Sequence, residues 1–148
     1  MIMKFLTTVI VLLFAANAGA QNIERINPEG MTQPSAYSHL VKVDNLLFIA
    51  GQVALDGDGN IIGEGDMSAQ VRQVLENLKT VLASEDADFS NVIKVNIFTT
   101  DIDRFLETSA VRREYLGDHP PASTLVQIER LARPVFLVEI EAIAIAPE

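Results

Sequence analysis

Apolar positions recur along this chain with two different periods, and the switches between them mark where strands give way to helices. From residue 40 onward, Leu40, Val41 and Val43, then Asp44-Asn45, then LLFIAGQVAL over Leu46 to Leu55 predict two strands joined by a tight turn. Gly51 interrupts the second strand, where a glycine marks a bulge or a close approach to the backbone. Val71, Val74, Leu75, Leu78, Val81 and Leu82 are spaced by threes and fours. That spacing predicts a helix with one apolar face, capped by Asp66 or Ser68, with Arg72, Gln73, Glu76 and Lys79 on its outer side. Val92 to Thr99 reads as a strand with Ile93, Val95 and Ile97 on one face and Lys94 and Asn96 on the other. A second helix is expected from Ile102 to Leu116, capped by Asp101 or Asp103 and stopped by Gly117 and Pro120-Pro121. Two more strands, Thr124 to Arg130 and Val135 to Ile145, are linked by a turn through Ala132-Arg133-Pro134.

The order ββαβαββ predicts an α+β fold, a mixed sheet with two helices on one face, because both helices have one apolar side to bury. The other face of the sheet is also substantially apolar, which invites self-association. Asn22 to Ser38, rich in Pro, Gly, Asn and Ser, is expected to be an irregular lead-in. At 148 residues, 49% of them hydrophobic, the chain suits one domain, residues 21–148. Residues 1–20, MIMKFLTTVIVLLFAANAGA, combine one cation, a short apolar run and Ala18-Gly19-Ala20. That layout predicts a signal peptide, hence an exported protein, periplasmic or secreted, with no membrane segment after cleavage.

Charge narrows the partners. The formal net charge is −9, and cleavage would remove Lys4 and no acid, moving it to about −10. Such a field repels nucleic acid, whose binding depends on Lys and Arg at the phosphates, and favours a small ligand. Asp56-Gly57-Asp58-Gly59-Asn60 superficially suggests a calcium loop. However, the sixth and twelfth places hold Ile61 and Met67 where glycine and glutamate are needed, so a turn is expected and no metal.

On the last predicted strand Glu139 and Glu141 share one face while Val138, Ile140 and Ala142 share the other. Paired carboxylates raise each other's proton affinity, and one that is also shielded from water can move a proton or orient a water molecule. Period-two alternation by itself is more often just a half-solvated strand. His39 and His119 are further acid–base candidates, neither with an orienting partner visible in the sequence.

PPAST-L-V-x-I from Pro120, followed by Arg130-Leu131, a turn and VEIEAIA, resembles the signature of the Rid family of reactive intermediate deaminases. Tyr37, Phe48-Ile49-Ala50-Gly51-Gln52 and Gln70-Val71-x-Gln73-Val74-Leu75-x-Asn77-Leu78 extend the resemblance over nearly the whole chain after residue 20. It implies a chorismate-mutase-like fold, a homotrimer with three clefts at the subunit boundaries, and hydrolysis of imines or enamines to a carbonyl compound and ammonia without a cofactor. By the same resemblance Glu139 is the glutamate associated with the attacking water, and Tyr37 and the backbone around Gly51 line the cleft. Ser109 falls where many deaminases have asparagine, and Ser123 falls on the arginine that grips a substrate carboxylate. One neutral hydroxyl replaces a bidentate cation there, a loss on the order of several kcal/mol of substrate affinity. Arg130 and Arg133 lie too far along the chain to replace it and are expected to be solvated or structural. Two readings follow: a small-molecule site with hydrolytic deamination at Glu139, or a non-catalytic extracytoplasmic metabolite-binding or chaperone-like protein.

Overall fold

The three-and-four spacing forms the helix it predicts. In the computed structural model, which describes residues 21–147, α1 spans Met67–Ala83 and buries Val71, Val74, Leu75, Leu78, Val81 and Leu82. Each is worth roughly 1.5–3 kcal/mol relative to exposure. Asp66 is the cap, its Oδ1 accepting from Ala69 N at 3.0 Å. The expected signal segment, residues 1–20, lies outside the described residues.

The sheet beneath α1 has six strands: β1 (Ile23–Ile26), β2 (Leu40–Val43), β3 (Leu46–Gln52), β4 (Val92–Thr99), β5 (Ala122–Gln127) and β6 (Val138–Ile145). Their spatial order is β1-β2-β3-β6-β4-β5, antiparallel throughout except for the β4–β5 pair. Two further helices, α2 (Ile102–Glu107) and α3 (Ser109–Leu116), pack with α1 on one face. The core lies between them and the inward residues Leu47, Ile49, Val95, Ile97, Val138, Ile140, Ala142 and Ala144. Across the sheet, Phe48, Val126 and Ile145 are exposed, so the second face is apolar as expected. Among the described residues no helix is long and apolar enough to cross a membrane.

Four details differ from the sequence expectation. Ile23–Ile26 is a strand, not irregular lead-in, pairing its backbone with the edge of β2 while exposing most of its side chains. The predicted second helix is two, because Thr108 leaves helical geometry (ψ 13°) and turns its hydroxyl back onto Phe105 O at 2.7 Å. A register shift between Val92 and Lys94 turns Ile93 outward, 45% exposed, and puts Val92 in the core. Finally, Gln73 is not a free outer residue. Its Nε2 donates to Leu55 O and to Asn77 Oδ1, and Asn77 Nδ2 donates to Val53 O and Leu55 O, which fastens the segment after β3 to α1.

Gln70 makes the equivalent attachment for β6. Fully buried, it donates from Nε2 to Val135 O at 2.7 Å and Gly63 O at 3.2 Å, and accepts at Oε1 from Leu137 N at 2.8 Å. Gln70→Leu keeps the volume and strands all three backbone groups. It is expected to lower the unfolding free energy by at least ~2 kcal/mol, measured as a lower urea midpoint at unchanged slope.

Candidate functional site

Strand periodicity on β6 places Glu139, Glu141 and Ile143 on the face away from the helices. Glu141 sits opposite Asn96 of β4 and accepts from its Nδ2 at 2.7 Å. With Phe48, Lys94, Asn96 and Ile143 it lines a depression of about 300 Å³. Glu139, opposite Phe98, is half-buried, and its carboxylate accepts no hydrogen bond from any described residue. Burial, and secondarily the charge of Glu141, push its carboxyl above the ordinary glutamate value. The two acids therefore differ in character: Glu141 is tied to an amide, while Glu139 is desolvated with its oxygens uncommitted.

The reason for Gly51 is now geometric. Pairing between β3 and β6 shifts register between Ile49 and Gln52, and a β-carbon built on Gly51 would lie 2.0 Å from Glu139 Oε1. The bulge and the missing side chain together admit the carboxylate against the backbone. Gly51 also lines a second cavity, about 190 Å³, with Tyr37, His39 and Gln52. Tyr37 is 54% exposed at its rim and meets the His39 ring edge-on at 5.7 Å. His39 itself is buried and fully used. Gln52 Nε2 approaches its Nδ1 at 3.3 Å and its Nε2 lies 2.9 Å from Thr32 O, so both ring nitrogens are engaged. The ring thereby holds the lead-in against β3.

Ser123 lies elsewhere. In the parallel β4–β5 pair it stands beside Val95, on the helix face of the sheet. There it lines a third cavity, about 190 Å³, with Pro120, Pro121 and Arg112. Within one chain Gly51 lines the second cavity with Tyr37 and also adjoins Glu139, which lines none of the three, while Ser123 is apart from them all. Ser109, exposed at the start of α3, lines none of the three. His119 is exposed beyond α3, Arg130 is exposed, and Arg133 lies over the Phe136 ring at 5.6 Å. The Asp56 carboxylate is occupied by its own turn, accepting from Asp58 N, Asn60 N and Asn60 Nδ2. Among the described residues no group of three His, Asp or Glu is placed to hold a metal. Sequence reasoning missed Gln70 and Arg112, whose burial the polarity pattern of a helix does not reveal.

With this geometry in place, comparison with known proteins is informative. A family model described as "Endoribonuclease L-PSP" matches residues 30–146. A RutC family protein of Pyrococcus horikoshii is 43% identical over 108 residues, 73% of this chain and 85% of its own length. The 3-aminoacrylate deaminase RutC of Acinetobacter baylyi is 34% identical over 122 residues, 82% of this chain and 96% of its own. Among solved structures, the YjgF gene product of E. coli superposes with a TM-score of 0.75 at 26% identity, covering 84% of this chain and 99% of its own.

Two measurements probe the Glu139 environment. Because its carboxyl is raised above the ordinary value, the folded state holds this proton more tightly than the unfolded state, and the associated stability is lost as pH rises through the folded value. Glu139→Gln should therefore gain stability relative to the parent as pH rises through that window, seen by denaturant titration at a series of pH values. Gly51→Ala should drive the carboxylate outward, so that NMR titration finds Glu139 returned toward the ordinary range.

Proposed function

The chain belongs to the Rid family, matched by the model described as Endoribonuclease L-PSP, and on that premise we propose that it binds a small molecule in a cleft between copies of itself and hydrolyses a reactive imine or enamine there. The observation that carries this reading is the Glu139 carboxylate, desolvated and uncommitted against Gly51. A carboxyl with raised proton affinity can take a proton from a water molecule as its oxygen bonds to the carbon of C=N. Returned to nitrogen, that proton completes a carbinolamine, whose hydroxyl proton then passes through the same carboxylate to the amine as C=O forms and the C–N bond breaks. Water is consumed and a carbonyl compound and ammonia leave, with no redox change. The Acinetobacter relative, a 3-aminoacrylate deaminase, supports an enamine or imine as the substrate class.

Glu139 and Ser123 occupy opposite faces of one sheet, so a cleft containing both is composed from two copies. The apolar face carrying Phe48, Val126 and Ile145 supports assembly into the homotrimer that the family resemblance implies. The net charge of −9 opposes RNA as substrate, whatever the description of the family model. Export remains part of the proposal and rests on residues 1–20; mass determination of the protein from its native host is expected to give a chain starting at Gln21. The second reading, binding without turnover, is favoured by one observation: Ser123 supplies no cation where a carboxylate substrate would be gripped.

Incubation with freshly generated 2-iminopropanoate, following ammonia and pyruvate, separates the two. Deamination above the uncatalysed rate, falling ~10²–10⁴-fold in Glu139→Gln, supports the enzyme. Turnover indifferent to Glu139→Gln refutes its role, and ligand-dependent thermal stabilisation without turnover supports the binding protein. Light scattering is expected to give a trimer.

A further inference from the structure

Arg112 is the anomaly among the basic residues. On α3, its Nε is buried without a hydrogen-bond partner, and its guanidinium lies 4.6 Å over the Phe105 ring. Lys42, Arg72 and Lys79 each have a carboxylate partner, and Arg104 donates to Gly65 O. Arg25, Arg113, Arg130 and Arg133 also lack both but are exposed; Arg112 lacks both while its Nε is buried, in a chain whose acids outnumber its bases 20 to 11. Burial depresses its proton affinity, and apart from the face of Phe105 no carboxylate or carbonyl among the described residues offsets the lost water.

The cavity it lines explains what could compensate. About 190 Å³ in volume, it is walled by Leu75, Leu78, Val95 and Ile97, and apart from Arg112 its side-chain polarity comes from Ser123. An apolar cavity of about 150 Å³ accommodates benzene, so there is room for a ring or short branched chain. A planar guanidinium with unused donors matches a carboxylate in preference to a neutral acceptor.

We infer that this cavity, between α3 and the β4–β5 edge, binds a small carboxylate with an apolar body, held by Arg112 and seconded by the Ser123 hydroxyl. The cation absent from β5 is thus supplied from the helix packed above it. The inference rests on the proposed function only for the occupant's being a substrate. The binding itself stands without turnover.

Calorimetric titration of the full-length assembly with benzoate, and with benzamide as its uncharged counterpart, tests it. Benzoate is expected to bind at least ~10-fold more tightly than benzamide. Arg112→Met should abolish that preference, Arg112→Lys should retain part of it, and Ser123→Ala should weaken benzoate by a smaller factor. Melting curves without ligand establish that each variant is folded, and Arg112→Lys preserves the test should the methionine variant fail to fold. Equal affinity for the two probes, no benzoate binding, or a preference surviving in Arg112→Met overturns the inference. Turnover separates the two ideas: deamination abolished in Glu139→Gln while the preference for benzoate over benzamide persists counts for this site, and deamination by the parent protein without any benzoate binding counts against it alone.

Discussion

The fold depends on one strand inserting between two others. β6 hydrogen-bonds to β3 on one side and β4 on the other, and no ladder joins the β1–β2–β3 group to the β4–β5 pair except through it. Its inward residues run Val138, Ile140, Ala142, Ala144, large at the start and small at the end, against the apolar face of α1. Gln70 reaches from that helix to the backbone on which β6 begins. Helix, linker and central strand are consequently locked as one unit, and both outer parts of the sheet take their positions from it.

How much of this could be read from residues alone depended on where side-chain chemistry and backbone geometry coincide. The α1 face, the Asp44-Asn45 turn, the alternation on β6 and the stop at Gly117 were all legible, because in each case pattern and conformation have the same cause. Ile23–Ile26 was not, since an edge strand held by its backbone needs no apolar period. Ile93 was assigned to the wrong face because one extra residue in a ladder inverts the alternation before it without changing composition. The break at Thr108 turns on a single dihedral angle in an otherwise helical run.

For the site, residue types were legible and their grouping was not. Glu139 with Gly51 could be anticipated in outline, as an acid on one strand and a glycine on another. That the glycine exists to admit the acid needs the β3–β6 register. The separation of Ser123 from Glu139 likewise follows from which β4 residue stands beside each: Val95 faces the helices and Phe98 faces away. Arg112 was hidden by the rule that charged helix residues point to solvent; here the stem and Nε fold inward over Phe105 instead. The result is two chemically different groups on opposite faces of one sheet, an acid with free oxygens on one and a cation with free donors on the other.

The β6 insertion has a temporal side. Gly51 belongs to one part of the sheet and Phe98 to the other, and Glu139 meets both only once the strand between them is seated. Before that, the carboxylate is an ordinary solvated one, and its perturbed proton affinity does not exist even in partial form. Contacts of such long sequence separation carry a loop-closure entropy cost before they stabilise anything. The chain therefore acquires the raised proton affinity of this glutamate only with the β3–β6–β4 arrangement in place, and a molecule lacking that arrangement holds an ordinary carboxylate there.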